Sequence, residues 1–164
     1  MTIEGIINKW NIPKIIFTDF DGCLTDDRVW VNSLGEEFVA ANRIDGLAIK
    51  EILKTGVKVV IASSETNKVV TARGNKMGVD VLQGLENKAI ELDLYLGKLK
   101  YKWDQAWYVG NDVNDLGAIE KAGISLSPND ANPLVKMKVD YVLETCGGFG
   151  IFREIFEILK KIAK

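Results

Sequence analysis

Ile15-Ile16-Phe17-Thr18-Asp19-Phe20-Asp21-Gly22 decides how the rest of this chain is read. Its apolar β-branched and aromatic start predicts a buried parallel strand over 14–20. The two carboxylates at the C-terminal end are two residues apart and fall on one side of that strand. Open α/β sheets bind their ligands at this edge. Two carboxylates cannot both stay ionised in a partly dry crevice without a cation, and Mg2+ is the expected companion. One Asp is then free to act as a nucleophile through an aspartyl-phosphate intermediate. Alone, Asp-x-Asp-Gly also suits a turn or a fragment of a calcium loop. An EF-hand loop requires Glu at its twelfth position, where this chain has Trp30.

The 164 residues suit one domain spanning 1–164 with one core. An apolar fraction of 47% beside 27% charged residues is that of a globular protein, which excludes a disordered chain. The net charge of -2 gives no basic footprint, so no nucleic-acid partner is expected. No apolar run approaches the roughly 20 residues of a membrane span, and no basic-then-apolar leader is seen. Cys23 and Cys146 are too few and too far apart for a disulfide scaffold or zinc knuckle, so a reducing cytoplasm is the expected location. With no histidine, the Ser-His and Cys-His hydrolase schemes and His-ligated zinc are excluded. Acid-base chemistry must rest on carboxylates, Lys, Tyr or a metal-bound water.

Strand-like runs at 14–20, 58–62, 79–82, 106–110, 124–126 and 141–143 alternate with helical stretches at 46–54, 66–77, 88–99, 114–122, 132–136 and 149–163. The last helix carries a broad apolar face of Ile151, Phe152, Ile155, Phe156, Ile158 and Leu159. Gly56, Gly78 and Gly123 each follow a helical stretch, where a left-handed cap is expected. The alternation predicts an α/β fold: a three-layer, doubly wound parallel sheet with right-handed crossovers. One segment departs from it. Residues 28–32 and 36–40 read as two short strands around Ser33-Leu34-Gly35, a hairpin between the Asp pair and the first helix. A free hairpin is marginal in water, and Trp30, Val31, Phe38 and Val39 on this one need a burial partner. A neighbouring subunit would supply it.

Three later strands end in residues suited to phosphate chemistry. Ser63 and Ser64 follow 58–62, placed to donate hydroxyl and backbone N–H bonds. Lys88 opens a helix after 79–82 and offers an ammonium to a phosphoryl group. Gly110-Asn111-Asp112-Val113-Asn114-Asp115 follows 106–109 as an acidic loop able to complete a magnesium site. Singly these have plain readings: an N-cap, a solvated lysine, turn residues. Their order and shared placement after strands point to a phosphoryl-transfer site.

With those motifs in order, the chain from about 14 to 158 resembles the haloacid dehalogenase superfamily. Arg43-Ile44-Asp45-Gly46-Leu47 and Gly147-Gly148-Phe149-Gly150-Ile151-Phe152-Arg153-Glu154 are similar to signatures of its capless branch. That branch includes 3-deoxy-D-manno-octulosonate 8-phosphate and nonulosonate 9-phosphate phosphatases. The chain also resembles the phosphatase-like C-terminal module of N-acylneuraminate cytidylyltransferases, where Gly-Asn is familiar in the fourth motif. The resemblance implies that Asp19 attacks phosphorus, that Asp21 protonates the leaving oxygen and then activates water, and that Ser63 and Lys88 hold the phosphoryl group. It implies magnesium held by Asp19, the Asp21 backbone carbonyl and the fourth-motif loop at Asn111 and Asp112. It implies a homotetramer with hairpins assembled centrally and C-terminal tails closing neighbouring sites.

Two departures follow. Ser63-Ser64-Glu65 stands where sugar-acid phosphatases usually have Thr-Gly, and Ser64 resists backbone angles that Gly tolerates. Glu65 and Lys76 are shared with nonulosonate-type enzymes and are candidates for the sugar end, or else a solvated helix start and a surface lysine. Arg73, Lys76 and a neighbour's Arg153 are candidates for holding the substrate carboxylate, with helix-face ion pairs as the alternative for the two arginines. Asn111 stands where active members usually have a metal-binding Asp, with Asp112 and Asp115 near enough to compensate. The expectation is a magnesium-dependent phosphatase of a phosphorylated sugar acid; the alternative is a weakly active or inactive oligomerisation module working with a cytidylyltransferase.

Overall fold

The computed structural model describes residues 10–163. Six parallel strands form one sheet: β1 (Ile15–Thr18), β4 (Lys58–Ala62), β5 (Asp80–Leu82), β6 (Ala106–Val109), β7 (Ile124–Ser127) and β8 (Tyr141–Val142). Their order is β5-β4-β1-β6-β7-β8, so the chain moves outward from β1 to β5 and then returns to β6 on the other side. The carboxyl end of β1 is therefore the point where strand order reverses, and a crevice forms there. A separate antiparallel ribbon, β2 (Thr25–Val31) and β3 (Glu37–Ala41), rises beside that end. Nothing larger is inserted among the described residues, in keeping with the capless expectation.

The pleat of β1 explains the three layers. Ile16 packs on one face with α1 (Arg43–Lys54), α2 (Lys68–Met77) and α6 (Ile151–Ile162), through Ile49, Ile52, Val70, Met77, Phe152 and Ile155. Ile15 and Phe17 pack on the other face with α3 (Lys88–Leu99), α4 (Leu116–Ile119) and α5 (Pro133–Lys136), through Leu92, Leu96, Ile119 and Val135. Both faces are buried, so the central strands β1, β4 and β6 read as nearly continuous apolar runs.

Several boundaries moved for local reasons. α1 begins at Arg43 instead of 46, because the Asn42 side chain accepts from the Ile44 N–H and caps the helix. α2 begins at Lys68 behind an Asn67 cap. The stretch 114–122 is a 3-10 turn, Val113–Asp115, followed by the four residues of α4. α6 starts at Ile151, after Gly150 in the left-handed region at φ 99. Gly56 and Gly78 adopt the expected positive φ, but Gly123 does not. Its reason is space: a Cβ there would lie 2.6 Å from the Asp104 carbonyl oxygen. Among the described residues no helix is long and apolar enough to cross a membrane, and both cysteines are free.

Candidate active site

Four loops at the carboxyl ends of β5, β4, β1 and β6, four neighbouring strands, build the site. Asp19 follows β1, its N–H bonded to the Val109 carbonyl at 2.9 Å, so the ladder fixes its backbone. Ser63 follows β4 in the same way, through Leu82 at 2.8 Å, and is buried. A cleft of ≈ 150 Å³ is lined by Asp19, Asp21, Asp27, Ser63, Ser64, Glu65, Asn111, Asp112 and Asn114. The sequence-predicted Asp19, Asp21, Ser63, Ser64, Glu65, Asn111 and Asp112 are thus together.

Lys88 is behind them, buried, at the first position of α3. A cation at a helix start opposes the dipole. Two carboxylates hold it there: its Nζ is 2.8 Å from Asp19 and 2.7 Å from Asp115. Asp115 has no exposed surface and accepts four hydrogen bonds. One oxygen takes Lys88 Nζ and, at 2.6 Å, the Tyr108 hydroxyl; the other takes the backbone N–H groups of Asn111 at 2.9 Å and Asp112 at 3.2 Å. Both oxygens being used, Asp115 does not compensate for Asn111 as a ligand; it fixes the lysine and the loop. Burial, then the Asp115 charge, push the Asp19 carboxyl up to about 7 against the pull of Lys88. Burial works against the Lys88 charge, but Asp19 and Asp115 outweigh it and raise its pKa.

Asp21 is half-buried. The Thr25 hydroxyl donates to it at 3.2 Å and accepts from the N–H groups of Gly22 and Asp27 at 3.3 Å. Burial raises its carboxyl; the Thr25 bond opposes that, and the Glu65, Asp27 and Glu37 charges add to it. The loop is gripped from outside by the glycines of the second signature. A Cβ on Gly147 would stand 2.0 Å from the Gly22 carbonyl oxygen, and one on Gly148 2.6 Å from the Asp26 nitrogen. Asp45, of the first signature, accepts from the Phe152 N–H at 2.9 Å and so ties α1 to the first turn of α6. Ser64 is not at positive φ, so its side chain causes no strain there.

The donors present suit a hard, oxygen-seeking cation. The Asn111 carbonyl Oδ1 is buried with no hydrogen-bond partner, an acceptor at the cleft that a cation would satisfy. Its amide nitrogen occupies the space beside Gly22 that a Cβ would fill, at 1.9 Å. Asp112 keeps one oxygen on the Val113 N–H and the Asn132 amide, at 2.7 and 2.9 Å, and lines the cleft. Among the described residues no three His, Cys, Asp or Glu side chains form a metal-holding group. A cation in this cleft would find its oxygens on Asp19, Asp112 and the Asn111 carbonyl.

Arg73, Lys76 and Arg153 do not line this cleft. Arg73 and Lys76 border a separate concavity of ≈ 450 Å³ with Arg43 and Lys50, and the Arg73 guanidinium donates to the Asn42 carbonyl at 2.6 Å. Arg153 is exposed on α6. Asp27 lines the cleft without having been singled out, Asn114 does so as part of the fourth-motif loop, and Asp115, expected as a possible compensating ligand, is instead buried against Lys88.

No family model matches the chain. It is 34% identical over 155 residues to 3-deoxy-D-manno-octulosonate 8-phosphate phosphatase of Escherichia coli strain K12, covering 94% of this chain and 82% of that protein. It is 31% identical to N-acylneuraminate cytidylyltransferase A of Danio rerio, covering 96% of this chain but only 38% of that protein. A crystal structure of the Moraxella catarrhalis 3-deoxy-D-manno-octulosonate 8-phosphate phosphatase with magnesium, phosphate and the sugar acid superimposes with a TM-score of 0.93 at 28% identity, covering 98% of this chain and 93% of that one. With Asp19, Ser63, Lys88 and the Asn111–Asp115 loop gathered at one switch point, the chain belongs to the capless branch of the haloacid dehalogenase superfamily that contains these phosphoric monoester hydrolases.

Proposed function

We propose that the chain is a magnesium-dependent phosphatase of an eight- or nine-carbon sugar-acid phosphate. The observation that carries this reading is the buried Lys88 pressed against Asp19 while Asp19 and Asp21 line one cleft. In this reading Asp19 attacks the phosphorus and takes the phosphoryl group. Asp21, steadied by Thr25, gives a proton to the leaving sugar oxygen and then takes one from the incoming water. Ser63 donates to a phosphoryl oxygen, and Lys88 balances the charge on Asp19 and on the transferring group. Magnesium, held by Asp19, the Asp21 carbonyl, Asn111 and Asp112, supplies charge neutralisation for the phosphoryl oxygens.

Among the described residues no lysine or arginine lines the cleft, so a carboxylate-holding role for Arg73, Lys76 or Arg153 requires a neighbouring copy. The hairpin supports such an assembly. Trp30 is 72% exposed and Leu34 83%, with Val31 and Phe38 also open, a ribbon that an isolated chain leaves uncovered. We assign it to a homotetramer contact. A small, charged substrate and free cysteines accord with a cytoplasmic location.

Asn111 favours a second reading, in which the site is a weak or silent relic in an oligomerisation module serving a cytidylyltransferase. A phosphate-release screen separates the two, using 3-deoxy-D-manno-octulosonate 8-phosphate and nonulosonate 9-phosphates with and without Mg2+. Release that depends on Mg2+ supports the enzyme; none from any ester supports the module.

A further inference from the structure

Asp27 stands out in the loop between the Asp pair and the hairpin. It and Lys100 are the only non-glycine residues at positive φ among those described, and Lys100 is simply the left-handed cap of α3. Asp27 lies at φ 65 inside an irregularity of the ribbon. Thr25 faces Ala41 and Val29 faces Val39, so Asp26, Asp27 and Arg28 stand opposite Ala40 alone. A bulge of this kind re-aims side chains. Here it directs Asp27 to the wall shared by two cavities. One is the cleft of Asp19 and Asp21; the other, ≈ 240 Å³, lies between the hairpin and the start of α2.

A glycine would make this turn without strain. What aspartate adds is a carboxylate, and that carboxylate makes no hydrogen bond or ion pair among the described residues. Arg28, the nearest cation in sequence, is held by Asp26 through Nε at 2.9 Å and Nη2 at 2.5 Å. The second cavity also offers acceptors from Asp21, Glu37 and Glu65, beside Val29, Val39, Val69 and Val70, and has no lysine or arginine in its lining. Such a wall accepts hydroxyl protons and repels a second anion. A ligand entering it therefore presents hydroxyl groups beside its phosphate and keeps any carboxylate at a distance.

We propose that Asp27 is a specificity residue that accepts a hydrogen bond from a hydroxyl of a polyhydroxylated leaving group, where the phosphate cleft opens beneath the hairpin. The inference rests on the phosphatase reading and adds to it the residue that reads the leaving group.

The test is the ratio of kcat/KM for 3-deoxy-D-manno-octulosonate 8-phosphate to that for p-nitrophenyl phosphate, whose leaving group has no hydroxyl to offer. Asp27→Gly removes the carboxylate and relieves the backbone. It should lower the ratio about ten- to a hundredfold, the value of a hydrogen bond to a charged acceptor, mainly through KM. The same variant should raise Tm by roughly 2–4 °C, so the loss cannot be laid to unfolding. Asp27→Asn tolerates the same φ and keeps a neutral acceptor, and should lower the ratio by about tenfold or less. An unchanged ratio in Asp27→Gly overturns the inference, as does an equal fall on both esters, which would place Asp27 in the phosphoryl step. If the unaltered protein releases phosphate from neither ester, the phosphatase reading fails and the inference falls with it.

Discussion

Replacing Asp115 by asparagine keeps shape and volume but gives one acceptor oxygen where the carboxylate uses two. Four donors converge on it, so in either orientation the new amide nitrogen faces two of them: Lys88 and Tyr108, or the Asn111 and Asp112 N–H groups. The residue has no exposed surface, so water cannot replace the lost partners. Breaking a buried ion pair on one side costs about 3–5 kcal/mol. Relief of the Asp19–Asp115 repulsion offsets part of this, which places the expected loss near the lower end, about 3 kcal/mol. In a chain of this length that lowers Tm by roughly 6–12 °C. Where the variant is still folded, either Lys88 keeps only Asp19 as an anchor or the fourth-motif loop loosens, according to which side the amide oxygen takes. Phosphate release should then fall about 100-fold or more. Thermal denaturation followed by circular dichroism, with kinetics at 20 °C below the variant's Tm, measures both. A Tm within 2 °C of the unaltered protein would refute the claim that Asp115 holds the site together.

Asn111→Asp should lower the Mg2+ concentration for half-maximal phosphate release, and should make Tm more dependent on Mg2+, because it adds a full charge where a carbonyl dipole stands. Titrations of rate and Tm against Mg2+ check it; no change in either would remove Asn111 from the metal site. Asp45, buried in the first turn of α1 against the start of α6, has its carboxyl pushed up to about 6 from 3.8, chiefly by burial. The folded state therefore binds this proton more tightly: the stabilisation is present below about pH 4 and is lost as pH rises through 6, by about 3 kcal/mol in all. Asp45→Asn, which retains a carbonyl for the Phe152 N–H, should shrink the gain in stability between pH 7 and pH 5 by about 1 kcal/mol. Urea melts at the two pH values measure that difference, and an unaltered gain would show that the carboxyl titrates normally. Replacing Trp30 and Phe38 by Ser should shift the mass seen by light scattering toward smaller species, whereas a monomeric unaltered protein at micromolar concentration would end the tetramer assignment.

What the sequence made legible was periodic. Ile15 to Thr18 and the other strands announce themselves because both faces of the sheet are buried, and the carboxylate pair follows at once. Ser63, Lys88 and the loop from Gly110 were legible because each comes just after such a run. Long-range pairing was not. Nothing near Lys88 in sequence tells that its ammonium is buried, since its partners Asp19 and Asp115 are on other loops. The close contacts of Gly147 and Gly148 with the catalytic loop, and of Gly123 with Asp104, likewise depend on tertiary approach, not on local conformation. Asp27 was hidden for a different reason: the first hairpin strand was read as starting at Arg28, and only the register shift between Thr25 and Val29 reveals the exposed residue that borders the cleft.

The proposed function turns on Asp19 acting as the nucleophile that takes the phosphoryl group. The direct measurement is an acid-quenched single turnover with 3-deoxy-D-manno-octulosonate 8-phosphate and Mg2+, followed by peptide mass spectrometry. One phosphoryl group on the peptide containing Asp19, absent in a folded Asp19→Asn protein that no longer releases phosphate, is the result expected. Phosphate release by Asp19→Asn at the unaltered rate, or a phosphoryl group on another peptide, would contradict it.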